Sequence, residues 1–311
     1  MLDFSHILMV SDLDATLLGP GSVLSQRNVD AIDFFKAHGG RFTAATGRIP
    51  PHIRKAIPQC DTLFNAPAIT ANGAYLYDLA ADRCIHSEPM DAVLAKEVAS
   101  FVQKVSDRIG MRVSTPRGSL VNQNRLVPAI LRDIGVIPES TSVPGQSAYL
   151  AADGTPVTGL ADPASITVPA HAHCFLQPLE AWDPTAEPWY KLVLRGEAED
   201  LRAIRPVIEA TFGDAFEYNT SSPRFLELQK RGCTKASALR RLADICAAED
   251  GAPVRTIAVG DQENDISMLQ EADVAACPDN ATAEVKALSQ YHLCHCAEGC
   301  IADLVERLAA E

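Results

Sequence analysis

Four consecutive apolar residues, Ile7-Leu8-Met9-Val10, lead through Ser11 into Asp12-Leu13-Asp14, and this junction limits the folds open to the chain more than any other stretch. An apolar run of that kind marks a strand covered on both faces, as in the middle of a parallel sheet flanked by helices. The two aspartates then emerge at the carboxyl end of the strand, where open α/β sheets keep their ligand crevice. Side chains two residues apart on an extended chain point the same way, so both acids are expected over one spot, with Thr16 two residues further on. Like charges held that close repel, and a bound cation relieves the repulsion. An Asp-x-Asp after a strand also serves as a helix cap or a solvated turn, so the rest of the chain has to decide.

Ser25 is placed to cap a helix carrying Val29, Ile32 and Phe35 and closed by Gly39-Gly40. A second strand at 41–45 ends in Thr46-Gly47-Arg48, which brings a hydroxyl and a backbone amide to the edge where Asp12 emerges. Pro50 and Pro51 suit the first turn of the next helix. A third strand at 68–70 ends in Asn72-Gly73, equally a hairpin turn before Tyr75-Leu76-Tyr77.

From about residue 79 the alternation loosens. A helix through Leu94, Val98, Phe101 and Val105 precedes a strand at 111–113 and a short helix at 125–134. The stretch 137–170, rich in Pro, Gly, Ser, Thr and Ala, is expected to be a variable insertion or a mobile lid element. A strand at 189–194, a helix at 197–212 and strands at 216–218 and 224–228 follow. Strands and helices in this order predict an α+β insertion rather than a continuing parallel sheet.

The βα alternation resumes at Thr234-Lys235, where Thr234 caps a helix carrying Leu239, Leu242 and Cys246. A lysine in the first turn faces the positive end of the helix dipole, so either an anion lies near it or it sits on the surface. The strand Thr256-Ile257-Ala258-Val259 ends in Gly260-Asp261-Gln262-Glu263-Asn264-Asp265, a second acidic terminus whose Asp261 and Asp265 face one side. A last strand at 273–276, then Asn280, a helix with Val285 and Leu288, and an amphipathic helix with Ile301, Leu304, Val305 and Leu308 complete the chain.

A formal net charge of −13 over 311 residues argues against nucleic acid or an anionic membrane as the main partner. Small anionic substrates stay compatible with it, because a bound divalent metal inverts the local field. No apolar run of about 18 residues occurs, and the start Met1-Leu2-Asp3-Phe4-Ser5-His6 lacks signal-peptide features, so the expected location is the cytoplasm. Nine scattered cysteines fit a reducing compartment. The run 292–300, His292-Leu293-Cys294-His295-Cys296-Ala297-Glu298-Gly299-Cys300, and the group His171, His173 and Cys174 are dense in soft ligands. Neither has a common zinc spacing, and a structural role is the expectation for both.

One edge of the sheet is thus expected to present Asp12, Asp14, Thr46, Asp261, Asn264 and Asp265, with Lys235 at a nearby helix start. Oxygen ligands in that concentration suit Mg²⁺ better than zinc or copper. A hydroxyl and an ammonium close by suit a transferring phosphoryl group, whose charge is spread over three oxygens.

Asp12-Leu13-Asp14-Ala15-Thr16-Leu17-Leu18, Thr46-Gly47-Arg48, Lys235 and Gly260-Asp261-Gln262-Glu263-Asn264-Asp265 resemble, in order, the four motifs of the haloacid dehalogenase superfamily. Asn72-Gly73-Ala74, the insertion, and Asn280-Ala281 with Glu284-Val285-Lys286 resemble its Cof-type phosphatases of subclass IIB. The resemblance implies an α/β fold with a doubly wound, mostly parallel, Rossmann-like core sheet and an inserted α+β cap domain. Residues 1–80 and 228–311 would form the catalytic core, and 81–227 the type IIB cap that closes over it and selects the substrate. It further implies a Mg²⁺-dependent phosphatase for a small phosphorylated metabolite, a sugar phosphate or phosphorylated cofactor. In that scheme Asp12 attacks phosphorus to form an aspartyl-phosphate, and Asp14 protonates the leaving oxygen and then activates water. Thr46, Gly47, Asn264 and Lys235 would hold the phosphoryl group; Asp12, Asp14 through its backbone carbonyl, Asp261 and Asp265 would hold Mg²⁺.

A phosphomutase acting on hexose phosphates is the alternative, and a phospho-aspartate signalling module a more distant one, since the large insertion has no place in it. Two departures from the family pattern stand out. Ala15 replaces the usual glycine, which requires a negative φ there, and the segment 276–280 is one residue longer than usual, which leaves Asn280, like Asn72, without an assigned role.

Overall fold

A computed structural model describes residues 2–124, 126–134, 136, 149–150, 156–157, 168 and 172–311. The chain folds into two compact units, one of residues 1–88 and 232–311, the other of residues 89–231.

In the first unit five parallel strands form one sheet, in the order Tyr291–Leu293, Val274–Pro278, Arg255–Val259, Ile7–Ser11, Arg41–Ala44. The apolar run that opens the chain has a parallel neighbour on each side and is covered above and below. Met9 packs into a cluster with Phe35, Phe42 and Ile301, while Leu8 and Val10 pack on the opposite face with Leu239, Leu242 and Met268. The helices Gln26–Ala37 and Cys300–Leu308 contribute to the first face, and Lys235–Asp250 and Ile266–Glu271 to the second. This is a doubly wound sheet. The chain adds Arg41–Ala44 on one side of Ile7–Ser11 and returns with Arg255–Val259 on the other, so the carboxyl end of Ile7–Ser11 lies at the switch point where such sheets open a crevice.

The strand Ala68–Thr70 does not extend this sheet. It forms an antiparallel three-stranded sheet with Tyr75–Asp78 and Arg83–Ser87 and touches the parallel one through the single bridge Ala45–Ile69. The Asn72-Gly73 pair is therefore in a hairpin loop, Thr70 being paired with Tyr75. Because Arg83–Ser87 still pairs with Tyr75–Asp78, the first unit continues to residue 88. The edge strand Tyr291–Leu293 has no counterpart among the sequence-predicted elements: three residues leading into the Cys/His-rich run carry too little pattern to mark a strand.

The second unit is built on a six-stranded mixed sheet in the order Cys174–Gln177, Gly118–Asn122, Gly110–Thr115, Lys191–Arg195, Phe225–Lys230, Phe216–Ser222. Only the first pair is parallel. Ala92–Val105 and Ala198–Phe212 cover one face, where Val98, Val102, Ile204 and Ile208 meet Met111, Val113, Leu192 and Leu228. The other face carries a buried ion pair, Lys191 Nζ to Glu227 Oε2 at 3.0 Å, and the helix Val127–Asp133 packs through Ile130 and Leu131 against Val121. This is the α+β insertion expected from the sequence. Gly118–Asn122 and Cys174–Gln177 were not among its predicted strands, the second because Cys174 reads as one of a group of soft ligands. Of the stretch 137–170, only Tyr149–Leu150 and Pro156–Val157, paired antiparallel, and Val168 lie within the described residues; the expected lid otherwise lies outside them, as does His171.

Candidate active site

Strand ends bring the acids together. Asp12 follows Ser11 directly and keeps its backbone in register, its N–H donating to Val259 O at 2.8 Å. Carboxylate oxygens of Asp12, Asp261 and Asp265 all lie within 4.8 Å of one another, and all three residues are buried. Gly260 makes this possible, since a Cβ there would come within 2.5 Å of Asp265 Cβ. Asp265 folds back over the turn, its Oδ2 accepting from the N–H groups of Asp261 at 2.9 Å and Gln262 at 3.1 Å. Thr16 Oγ donates to Asp261 Oδ1 at 2.9 Å, and Gln262 Nε2 to its Oδ2 at 3.1 Å.

Lys235 begins its helix, whose cap is reciprocal: Thr234 Oγ accepts from Ser237 N, and Ser237 Oγ accepts from Thr234 N. The lysine is 1% exposed, and its Nζ donates to Asp12 Oδ1 and to Asp265 Oδ1, each at 2.6 Å. The anion that an ammonium at a helix start calls for is thus a pair of carboxylates. Burial by itself would lower the Lys235 pKa, but Asp12 and Asp265 outweigh it and the pKa is raised. Burial pushes the Asp12 carboxyl well up, Lys235 opposing and the neighbouring acids adding to the rise. Asp261 is pushed up to about 6, mainly by burial and then by Asp265.

Asp14 is placed apart from this group. Its side chain is 55% exposed and paired through both oxygens with Arg48, Nη2 at 2.5 Å and Nε at 2.9 Å. The expectation of two acids over one spot assumed extended chain, but the strand ends at Ser11. Residues 12–18 then turn, with Leu17 N donating to Asp12 O and Leu18 N to Leu13 O. Ala15 at the crest has φ +59°, not the negative value its replacement of glycine required. Its carbonyl accepts from Asn280 Nδ2 at 2.8 Å.

Thr46 is buried just beyond Arg41–Ala44, with its hydroxyl accepting from Arg48 N at 3.2 Å; Gly47 is half-buried beside it. Asn264 is half-buried in the turn Glu263–Asp265. Asn72 is buried with φ +54°, its N–H donating to Thr46 O. Arg48, Thr16 and Asn280 carry no assigned role in the sequence reading. Each left a signal: Thr16 follows the two acids, Arg48 is a cation in the Thr46-Gly47-Arg48 tip, and Asn280 lies in the segment that resembles the Cof-type pattern.

The Cys/His-rich run is structural in its contacts. His292 Nε2 lies 3.0 Å from Lys286 O, His295 Nδ1 accepts from Ala297 N, and the Cys300 thiol points at Thr16 O at 3.2 Å. Among the described residues the one group arranged to hold a metal is Asp12, Asp261 and Asp265, and no helix is long and apolar enough to cross a membrane.

The donor set fits a hard divalent cation. All its ligand atoms are carboxylate oxygens, and three carboxyl groups share a single ammonium, so a cation relieves the crowding of acids. A parallel doubly wound sheet with acids gathered at its switch point, beside a lysine from a helix start, defines a Rossmann-like α/β protein with an acidic crevice suited to a cation. Residues 9–157 and 161–305 match the haloacid dehalogenase-like hydrolase family, and the chain belongs to it. It is 23% identical over 285 residues to the pyridoxal phosphate phosphatase YbhA of Escherichia coli K12, covering 89% of each protein. A protein of Mycoplasma genitalium matches only locally, 32% over 83 residues, so that the chain spans 29% of that relative's length. The fold is similar to that of the HAD subclass IIB sugar phosphatase BT4131, with a TM-score of 0.71, 20% identity, and coverage of 98% of this chain and 99% of the other.

Proposed function

We propose that this protein is a Mg²⁺-dependent phosphatase that hydrolyses the phosphate monoester of a small metabolite through an aspartyl-phosphate on Asp12. The observation that carries the reading is the buried triad Asp12, Asp261 and Asp265 with Lys235 bridging two of its members. The curated relative acting on pyridoxal phosphate and the sugar phosphatase of like fold support a small phosphorylated substrate. The unit of residues 1–88 and 232–311 carries the chemistry in this reading, and residues 89–231 form the cap that selects the substrate.

Asp12, Asp261 and Asp265, with the backbone carbonyl of Asp14, would hold Mg²⁺. Bound there, the ion supplies positive charge against the phosphoryl oxygens and keeps the acids ionised. The lysine at 2.6 Å fixes one oxygen of Asp12 and adds charge where the phosphoryl group gathers it. An Asp12 carboxylate oxygen forms a bond to phosphorus as the bond to the leaving oxygen breaks, and Asp14 gives that oxygen its proton. Asp14 then takes a proton from water, whose oxygen attacks phosphorus and breaks the bond to Asp12, so that the enzyme returns to its starting state. Separation of roles follows from placement: Asp12 is buried against an ammonium, whereas Asp14 faces solvent and is held by Arg48. Thr46, Gly47 and Asn264 would bind phosphoryl oxygens.

Release of inorganic phosphate from a panel of phosphorylated metabolites, with Mg²⁺ and without a bisphosphate activator, tests the reading. Turnover is expected to vanish in Asp12→Asn and on chelation of the metal. An Asp12→Asn enzyme that still turns over would end the proposed mechanism.

A further inference from the structure

The loop that joins Asp12 to Thr16 is held in a conformation its own sequence disfavours. Ala15 sits at φ +59° with its side chain exposed, and for a residue with a Cβ that region costs about 1–2 kcal/mol. The residue lies on the exposed surface, and the contact that holds it is made through its backbone. The Ala15 carbonyl accepts from Asn280 Nδ2 at 2.8 Å, and Asn280 Oδ1 in turn accepts from Cys296 N at 3.0 Å. One amide side chain therefore ties the crest of the loop to the segment before the last helix. Two residues on, Thr282 N donates to Asp261 O at 3.0 Å. The stretch 280–282 thus grips both acidic tips, the Asp12 loop by a side chain and the Asp261 turn by the backbone.

Resting on the phosphatase reading above, we propose that Asn280 is a positioning residue for phosphoryl transfer: it clamps the Ala15 carbonyl and so keeps Asp12, Asp14 and Thr16 in register with Asp261. The clamp offsets a strain at Ala15 that a glycine at position 15 would not carry. Glycine reaches φ +59° as readily as its mirror image, so with glycine at position 15 the crest carries no left-handed strain for the hydrogen bond to offset. Substituting Ala15 by Gly is then predicted to make the asparagine dispensable, a coupling that general support of the fold by Asn280 would not produce.

The test uses Asn280→Ala, Asn280→Asp and Ala15→Gly/Asn280→Ala. Asn280→Asp keeps the size and the acceptor for Cys296 N but loses the donor to Ala15 O, and serves if the alanine variant folds poorly. Two readouts are taken. Amide hydrogen exchange at Leu17 and Leu18, whose N–H groups donate to Asp12 O and Leu13 O, reports the loop in the metal-free protein without any turnover. Steady-state kinetics with Mg²⁺ and a phosphorylated metabolite that the wild type hydrolyses report its use. Losing one hydrogen bond corresponds to about a tenfold effect. Both single variants are expected to exchange about tenfold faster at these amides and to lose about tenfold in kcat with little change in KM. The double variant is expected to recover both. Exchange unchanged in the single variants, kcat within about twofold of wild type despite faster exchange, or failure of Ala15→Gly to restore kcat would each overturn the proposal. Failure of the phosphatase reading is separate: it shows as turnover in Asp12→Asn, whereas the exchange result still decides whether the clamp exists.

Discussion

Lys235 is the residue on which the electrostatics of the site turn. A buried ammonium between two carboxylates is stable only as a set, because removing one partner strands a charge in a medium that solvates it poorly. Lys235→Met is therefore expected to lower unfolding free energy by about 3–5 kcal/mol in urea titrations at neutral pH without metal. Part of that loss should return as pH falls and Asp12, whose carboxyl burial pushes well up, becomes protonated. Asp261 gives a second test. Its carboxyl is raised in the fold to about 6 from 3.8, so the folded state holds its proton more tightly than the unfolded chain does. Such a group weighs nothing below about pH 4, and its ionisation costs stability as pH rises to about 6. The unfolding free energy of the metal-free wild type minus that of Asp261→Asn should fall by roughly 3 kcal/mol across that window. A flat difference would show that Asp261 ionises as freely as in the unfolded chain.

Among the elements, the hairpin loop Ala71–Gly73 and the start of the helix Lys235–Asp250 are fitted to each other. Gly73 has φ +105°, and a Cβ there would meet Thr234 O at 2.1 Å, against the reciprocal cap that begins the helix. Ala71 and Asn72 just before it also have positive φ, at +49° and +54°, so strain gathers where this loop meets Thr46 and the lysine-bearing helix. Gly73→Ala is expected to cost 2 kcal/mol or more, roughly the sum of a forbidden φ and a backbone overlap, and to impair turnover beyond the loss of folded protein. Thermal melting together with activity per folded molecule checks both parts. Elements with strong periodicity or an unbroken apolar run were legible in the sequence: Ile7–Ser11, the helix capped by Ser25, and the helix capped by Thr234. Gly118–Asn122, Cys174–Gln177 and Tyr291–Leu293 were not, because strands of three to five residues deriving their stability from neighbours distant in sequence carry little local signature.

For the whole molecule, the net charge of −13 leaves a divalent cation as a favourable ligand and the buried triad as the place for it. Mg²⁺ at about a hundredfold above its dissociation constant should stabilise the chain by about 2.7 kcal/mol, seen as a rise in Tm, and the rise should disappear in Asp261→Asn. An equal rise in both proteins would mean that the ion binds elsewhere. The order of acidic, hydroxyl and basic tips along the chain was fixed by the sequence alone, since each tip follows an apolar strand or opens a capped helix, and these are local patterns. So was the division into a parallel α/β unit interrupted by an α+β one. Only the tertiary structure decided where each charge points. Asp12 and Asp14 are two residues apart, yet one is buried against Lys235 and the other turns to Arg48, because the strand ends between Val10 and Asp12 and the loop is pinned through Ala15 by a residue 265 positions away. A hydrogen bond over that distance leaves no trace in local periodicity; it exists only once the parallel sheet has set its strand ends side by side.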